Sequence, residues 1–349
     1  MTMEAENDFS SGLPAQCDYA LPQAHSNPLV YETFNTFIYD GERNIGLNPN
    51  LIHVRGGEAR ERSAILLGDG RQYFSMSTGR YTDPRAPGDD TYVYRCLEPF
   101  KRWRYSWNGM AELASFQDQS QGHVSHGGEQ ARVSVELVAE AVSEAWVMPL
   151  STGPAFQLGE PEFEGDSYLG KYEQLLRADG RVSVNDESWE FSGSGVRGHV
   201  RGARDTAGMA FHSWICGIFP SGRGFNLKQL HDEAGNPYFS QAYLLDGHKA
   251  VRAKILQTPD LVRVPQQPEY EVVLQTPAET ARIRGFNKLT SWVPIGEWGG
   301  IFKTPDHAAY GIFGNGYGLV QEARMIMSQG FARFEWDGEE GYGMCELSG

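Results

Sequence analysis

Tight turns recur along almost the whole chain and separate short runs of β-forming residues. An acid followed by glycine interrupts the sequence at Asp40-Gly41, Asp179-Gly180, Asp246-Gly247 and Asp337-Gly338. Other X-Gly turns lie between these four. X-Gly turns between short strands every 8–12 residues or so are typical of antiparallel sandwiches and barrels. The helical periodicity that a β-α-β sheet requires is absent. The sequence therefore predicts a mostly β protein with antiparallel strands.

The length of the chain predicts two domains. Its 349 residues exceed the roughly 250–300 at which a single core stops growing. Residues 150–166 carry Gly and Pro among acids and are interpreted as a linker. We therefore expect a loose arm over 1–27, a first β-barrel over 28–160 and a second over 161–349. The Val/Glu/Ala mixture of 132–147 is compatible with a helix, but its alternation of apolar and polar residues favours a strand.

The charge balance argues against nucleic acid as a partner. Thirty Lys and Arg against 45 Asp and Glu give a formal net charge of −15, which repels a phosphate backbone and an anionic membrane surface. The densest basic patch, Lys101 to Arg104, is short and is interpreted as the solvated face of a strand. No stretch approaches the roughly 20 apolar residues of a membrane span. We predict neither a nucleic-acid partner nor a membrane span.

The cysteines and the first residues predict a cytoplasmic protein. Cys17, Cys96, Cys216 and Cys345 form no C-x-x-C pair, and four thiols in a chain of this length are not a disulfide framework. Residues 1–21 are acidic and polar and lack the apolar segment of a secretory signal. Reduced thiols in a cytosol are the simplest interpretation.

Cofactor motifs are missing or stand in the wrong context. The sequence has no G-x-S-x-G, no phosphate-binding G-x-x-x-x-G-K and no H-E-x-x-H. Residues 193–198 spell G-x-G-x-x-G, but the charged, glycine-containing residues 199–205 that follow do not favour the required helix. His123 and His126 have H-x-x-H spacing in a polar loop with only Glu129 nearby, so a solvated loop competes with a metal site. We expect no metal and no other cofactor.

The segment from Arg197 to Phe219 concentrates titratable groups beside an apolar strand. On an extended strand, His212 shares one face with Trp214. A histidine there is either a core residue with its hydrogen bonds satisfied or an acid or base with a shifted pKa. The adjacent Arg204-Asp205 pair is either a structural salt bridge or a group that orients a catalytic neighbour. The residues alone leave both alternatives open.

Several short motifs lie across most of residues 30–349. They are Glu98-Pro99, Trp103-Arg104-Tyr105, Tyr172-Glu173-Gln174, Gly195-x-Arg197, Arg204-Asp205, His212-Ser213-Trp214, Asp337-Gly338, Gly341-Tyr342-Gly343 and Glu346. Together these motifs resemble the carotenoid hydratase (hydroxyneurosporene synthase) superfamily. In the relatives the Arg-Asp and His-Ser-Trp elements are contiguous, whereas residues 206–211 separate them here.

This resemblance implies two lipocalin-like β-barrels in tandem around a hydrophobic small molecule. It also implies cofactor-independent chemistry on terpenoids, carotenoids or polyketides, such as water addition to alkenes or cyclisation. Such chemistry needs a proton donor and a base in a dry pocket, and aromatic faces favour cationic intermediates. We predict as catalytic His212, Asp205, Arg204 and Glu173, and as substrate-binding Tyr172, Arg197, Trp214, Trp292, Trp298, Tyr310 and Glu346.

Three functions compete at this point. The first is a cofactor-independent lyase or isomerase that acts by acid–base catalysis on a terpenoid-, steroid- or polyketide-like substrate. The second is a binding protein without turnover, because barrels often only carry ligands. The third is a cyclase that only preorganises a reactive substrate, which a flat pH–rate profile would reveal. A homodimer is an open hypothesis for the assembly.

Overall fold

Strands form nearly all the regular structure in the part of the chain that the computed structural model describes, residues 8–26, 30–115, 129–148, 162–164, 167–203, 211–260, 268–295 and 325–348. A single 3₁₀ turn over Ala15–Asp18 precedes them in these residues. The strands are β1 Val30–Asp40, β2 Ile45–Arg55, β3 Glu58–Leu67, β4 Arg71–Arg80, β5 Tyr92–Glu98, β6 Arg102–Ser115, β7 Gln130–Ala141, β8 Trp146–Met148, β9 Glu162–Glu164, β10 Ser167–Val184, β11 Glu187–Ala203, β12 Phe211–Ile218, β13 Gly224–His231, β14 Pro237–Asp246, β15 Lys249–Gln257, β16 Glu269–Gln275, β17 Thr280–Ile295, β18 Met325–Trp336 and β19 Glu339–Ser348.

The first barrel closes through β11, which pairs with both β10 and β1. Its order around the barrel is β1, β2, β3, β4, β6, β7, β10 and β11, with β5 added beside β6 and with β8 and β9 beside β10. Strand β11 follows β1 from Val30 opposite Ala203 to Tyr39 opposite Ser194. The expected division after residue 160 differs from this pairing, because β10 and β11 complete the first barrel. By strand pairing the division falls between β11 and β12.

The second barrel is a meander of β12 to β19 in chain order, closed by β12 against β19. All pairings in both barrels are antiparallel. Short turns connect the strands at one end of the second barrel, and two of them are the acid-Gly turns Asp246-Gly247 and Asp337-Gly338. Residues 204–210, 261–267 and 296–324 lie outside the described residues. The prediction of two tandem antiparallel barrels is confirmed.

Alternation of side chains explains both cores. In β7 the residues Val133, Val135 and Leu137 are buried and the residues between them are more exposed, so the strand interpretation of this segment is confirmed. Large aromatic side chains fill the first barrel, and Trp103 and Trp107 are at most 1% exposed. Such burial of apolar area supplies most of the stabilisation of each barrel.

The barrels pack against each other through their outer faces. Phe331 of the second barrel stacks on Tyr39 of the first at a centroid distance of 5.6 Å. A Cβ atom at Gly46 would lie 2.3 Å from the Phe331 ring, so only glycine permits this approach. Phe37 meets Trp214 edge-on at 5.6 Å. The two barrels therefore share a third apolar core, and polar groups within it are shielded from water.

Candidate functional site

A row of buried side chains crosses the outer face of the second barrel where it meets the first. Lys228 lies opposite Trp214, Trp214 opposite Glu346, and Glu346 opposite Gln329 in the register of β13, β12, β19 and β18. None of these four residues is more than 8% exposed. His212 lies two residues before Trp214 on the same face of β12. Strand pairing therefore brings together side chains that are more than 100 residues apart in sequence.

His212 and Glu346 form a buried pair at the centre of this row. The Nδ1 atom of His212 lies 3.1 Å from Oε1 of Glu346, and both side chains are at most 7% exposed. Burial lowers the pKa of His212, the hydrogen bond that His212 donates to Glu346 opposes this shift, and Lys228 adds to it. Among the described residues, Nε2 of His212 has no hydrogen-bond partner. The pair therefore presents a neutral imidazole whose second nitrogen is unengaged.

Glu346 is held from its other side by residues of both barrels. Gln329 donates through Nε2 to Oε2 of Glu346 at 2.8 Å. The Oε1 atom of the same amide accepts from Nδ2 of Asn48 at 2.9 Å and from Nη2 of Arg62 at 2.5 Å, both in the first barrel. Although burial opposes ionisation, the hydrogen bond from His212 holds the pKa of Glu346 below its ordinary value, with Lys228 also lowering it. The carboxylate is therefore ionised and fixed in orientation.

Two lysines share one carboxylate beside this pair. Lys171 of β10 and Lys228 of β13 both reach Oε1 of Glu173, the latter at 3.4 Å. Asn226 donates to the other oxygen of Glu173 at 2.9 Å. Burial, opposed by Glu173 and assisted by Lys228, lowers the pKa of Lys171 to about 7. Although burial opposes it, the two lysines hold the pKa of Glu173 below its ordinary value. We call His212, Glu346, Gln329, Lys171, Lys228 and Glu173 the interface cluster.

Trp214 binds both of these ammonium groups. The Nζ atoms of Lys171 and Lys228 lie 4.7 and 4.1 Å from its ring centroid, and its indole N–H donates to Asn226 at 3.1 Å. The sequence reasoning assigned this indole to the stabilisation of cationic intermediates. Two ammonium groups already lie close to this ring, which raises the electrostatic cost of placing a further cation beside it. The surroundings instead favour negative charge.

Arg197 and Tyr172 lie elsewhere, inside the first barrel. Arg197 donates to Oδ1 of Asp18 at 2.7 Å and Tyr172 donates to the same oxygen at 2.6 Å. The other oxygen of Asp18 accepts from the indole of Trp103 at 2.9 Å. Arg197 also donates to Gln174 at 2.9 Å and stacks over Trp103 at 4.2 Å. This arm cluster of Asp18, Trp103, Tyr172, Gln174 and Arg197 ties the segment before β1 into the barrel interior.

A second buried set extends the arm cluster. Glu32 accepts from Arg201 at 2.9 Å and from the backbone N–H of Leu21 at 2.6 Å, and it lies 2.9 Å from Nε2 of His199. Burial lowers the pKa of His199 to about 4 in spite of the hydrogen bond with Glu32. Residues of the expected loose arm are thus anchored by two charged clusters.

The structure divides the predicted site residues into three groups. It brings Glu173, His212, Trp214 and Glu346 together between the barrels and places Tyr172 and Arg197 inside the first barrel. The backbone of Trp292 lies in β17. The remaining predicted residues, Arg204, Asp205, Trp298 and Tyr310, lie outside the described residues.

Sequence reasoning missed the two lysines and the glutamine of the interface cluster. Lys228 stands in the run G-F-N-L-K-Q-L-H, every residue of which is buried. Asn226 and Lys228 alternate with Phe225 and Leu227, a pattern that places the lysine on the polar face of the predicted strand, so no local signal marks its burial. Lys171 directly precedes the recognised Tyr172-Glu173 motif. No local pattern distinguishes Gln329, because its role depends on Asn48 and Arg62 of the other barrel.

The described residues contain no cluster of three or more His, Cys, Asp or Glu with metal-binding geometry. All four cysteines are free and buried. No helix in the described segments is long and apolar enough to traverse a bilayer. A groove of about 790 Å³ lies at the acid-Gly turn end of the second barrel, lined among others by Arg177, Leu245 and His248, and it contains none of the predicted site residues.

Comparison with known proteins identifies the family. A model of the family described as a domain of unknown function, DUF7064, matches residues 17–258. The chain belongs to this family. The matched range includes the whole first barrel and the first four strands of the second. A search of curated proteins finds no match.

Solved structures share the fold of this DUF7064 protein. It is similar to a protein assigned as AttH from Nitrosomonas europaea, with 12% identity, a TM-score of 0.53 and 99% of each chain covered. It is also similar to kievitone hydratase from Nectria haematococca, with 11% identity, a TM-score of 0.51 and coverage of 97% of this chain and 96% of that one. The fold of two tandem lipocalin-like barrels that the resemblance implied is confirmed.

Proposed function

We propose that the protein is a cofactor-independent lyase or isomerase of the hydratase, dehydratase or cyclase type. It acts by acid–base catalysis on a hydrophobic substrate bound beside the interface cluster. One observation carries this proposal, the buried imidazole of His212 with Nδ1 held by Glu346 and Nε2 unpartnered among the described residues. A buried polar atom without a partner is costly in a purely structural role. A substrate or water molecule would supply the missing hydrogen bond.

The pair has the geometry of an oriented general base. The Nδ1–H of His212 donates to Glu346, so the lone pair of Nε2 is available to accept a proton from water or from a C–H bond. Glu346 then stabilises the imidazolium that forms. The same nitrogen returns the proton in the reverse direction, so hydration and dehydration use one residue. Gln329 keeps the carboxylate in place during both steps.

The charges around the pair favour one kind of intermediate. Lys171 and Lys228 lie beside Trp214 and act on His212 electrostatically. Positive groups in a shielded site stabilise negative charge that develops in a transition state. Water addition to an alkene conjugated with a carbonyl group develops such charge on the carbonyl oxygen. We therefore place conjugated carbonyl compounds with a terpenoid, steroid or polyketide skeleton first among substrates.

The fold is compatible with this reaction class. Kievitone hydratase is named as a hydratase and has the same tandem architecture. Fold alone does not determine activity, and the His212–Glu346 pair supplies the chemical argument. A carrier protein of the same fold would bind the compound without converting it.

The test is turnover of conjugated enones in H₂¹⁸O, followed by mass spectrometry of the product. His212→Ala is expected to lower the rate by about 10²–10⁴-fold, the usual range for a lost general base, while the protein stays folded. His248→Ala, which lies in a turn at the other end of the second barrel, serves as the matched control. Equal rates in folded His212→Ala and wild-type protein would refute the assignment. Binding without turnover of any enone would favour a carrier.

A further inference from the structure

The proposed function uses Lys171 only as a positive charge, and its buried amine is the strongest candidate for chemistry beyond that role. Its side chain is 3% exposed and forms an ion pair with Glu173. It extends from β10 of the first barrel to the ring of Trp214 in the second, at 4.7 Å from the centroid. A structural lysine is normally exposed at its charged end. This one instead ends in the apolar contact between the barrels.

A second ammonium group competes for the same carboxylate. Lys228 lies 3.4 Å from the oxygen of Glu173 that Lys171 also contacts, and it lies over the same indole at 4.1 Å. A desolvated ion pair is seldom a net gain in stability, and an extra buried cation adds cost. The arrangement is one that favours loss of a proton from one of the two lysines. The burial of Lys171 is the greater, 3% against 10% side-chain exposure for Lys228.

We propose that Lys171 is a nucleophilic amine that forms an imine with a hydrophobic aldehyde or ketone. Desolvation and an adjacent cation are the two devices that activate lysines for Schiff-base chemistry. A pKa of about 7 for Lys171 agrees with the geometry, because the neutral amine is the attacking form. The inference does not rest on the proposed function, since imine formation requires neither His212 nor water addition.

The step balances with groups already in the site. The nitrogen of Lys171 forms a bond to the carbonyl carbon while the carbonyl oxygen takes up a proton. The carbinolamine then loses its hydroxyl group with one further proton as water, and the C=N bond forms. The ammonium group of Lys228 is placed to supply the proton, and Glu173 is placed to accept the one that the amine releases. The net change is amine plus carbonyl giving imine plus water.

Reductive trapping tests this inference directly on the full-length protein. Benzaldehyde with sodium cyanoborohydride converts an imine into a stable benzylamine, which peptide mass spectrometry locates. At pH 7 a lysine with a pKa of about 7 is half neutral, against roughly 1 in 2,500 for an ordinary lysine. We expect Lys171 to be modified at least about 10-fold faster than Lys249, whose side chain is 55% exposed. Modification of Lys249 with Lys171 unmodified in folded protein would overturn the inference, and this outcome needs no variant.

The pH dependence separates a reactive amine from a merely accessible one. The titratable groups that act on Lys171 are Glu173, Lys228 and His212. Removing the positive charge in Lys228→Met should raise the midpoint of Lys171 modification above pH 7. Modification at pH 7 should then slow by about 10-fold for every pH unit by which the midpoint rises. Lys249→Met is the matched control and should leave the midpoint unchanged. A midpoint near 10 in the wild type, or an unchanged midpoint in Lys228→Met, would contradict the proposal.

Discussion

The arm cluster and the interface cluster are both buried and charged, yet they differ in how fully their polar atoms are paired. Asp18 accepts hydrogen bonds from Arg197, Tyr172 and Trp103, at 2.6–2.9 Å. In the interface cluster one histidine nitrogen lacks a partner among the described residues, and two lysines share one carboxylate. Saturated networks fix a fold, whereas incomplete ones indicate a place for another molecule.

This difference also separates the two histidines. His199 contacts Glu32 through one ring nitrogen and Tyr172 through the other, at 2.9 and 3.3 Å. His212 uses only Nδ1. Both are buried and both have lowered pKa values, so neither burial nor titration distinguishes them. The two histidines differ in that Nε2 of His212 has no hydrogen-bond partner among the described residues.

The largest effect should come from breaking the arm cluster. Asp18→Ala leaves the Arg197 guanidinium buried without its carboxylate, so we expect a loss of about 3–5 kcal/mol in the free energy of unfolding. Asp8→Ala is the matched control, because Asp8 is exposed and, among the described residues, forms hydrogen bonds only with Ser10. It should change stability by no more than about 0.5 kcal/mol. Urea unfolding followed by fluorescence measures both. Similar stabilities of the two variants would show that the arm is not anchored in this way.

A smaller effect of a different kind is expected from Glu346→Gln. The variant keeps the shape of the side chain but loses the charge that orients and stabilises His212. Turnover should fall by about 10²-fold, equivalent to about 3 kcal/mol of transition-state stabilisation, while the melting temperature changes little. A large loss of thermal stability with an unchanged rate per folded molecule would place this pair with the structural network instead.

The sequence predicted the framework better than the chemistry. Acid-Gly turns and alternation in segments such as 132–147 are local signals, and most of them led to the antiparallel barrels. The turn predicted at Asp179-Gly180 is wrong, because both residues lie inside β10 and pair with β7 and β11. His212, Trp214, Glu173 and Glu346 were recognised because short motifs carry them. The sequence did not predict that Glu173 and its neighbour Tyr172 belong to different clusters. Adjacent residues of β10 face opposite sides of the barrel wall. Only the packing of the second barrel against the first shows that the candidate site lies on the outer face of the wall, where Glu173 is.

The closure of the first barrel by strands distant in sequence was also not predicted. The acidic, Pro-containing segment 150–166 has the composition of a linker, yet β10 and β11 follow it and complete the first barrel. Composition carries no information about which strands pair. The pairing partner of β11 is β1, which lies more than 150 residues earlier. The role of Asp18 could not be found either, because a single acid in a polar arm has no periodic pattern.

Within the first barrel, Glu61 can be compared with Glu32, because among the described residues it is a buried carboxylate without an ion-pair partner. Glu61 is 1% exposed and accepts from the hydroxyls of Ser75 and Ser77 at 2.9–3.1 Å. Burial raises its pKa to about 7 against these hydrogen bonds. The folded state therefore binds this proton more tightly than the unfolded state, and stability falls as pH rises from about 4.3 to 7.

Glu61→Gln should remove that part of the pH dependence. Relative to wild type, the variant should gain about 2 kcal/mol in unfolding free energy on going from pH 5 to pH 8. Urea denaturation at the two pH values measures the difference. A constant difference between variant and wild type at both pH values would mean that Glu61 is ionised throughout, as the cation-paired Glu32 is expected to be.

The smallest effect should follow from Asn48→Ala, which tests whether the interface cluster extends into the first barrel. Asn48 donates one hydrogen bond to Gln329, but Arg62 donates to the same oxygen, and Gln329 still holds Glu346 through its amide nitrogen. We therefore expect a loss of about 1 kcal/mol in stability and a change in turnover of no more than about 3-fold. Unfolding and turnover should be measured on the same preparation. A rate as low as that of Glu346→Gln would mean that His212 depends on the whole chain of hydrogen bonds across the interface. The interface cluster would then include Asn48 of the first barrel.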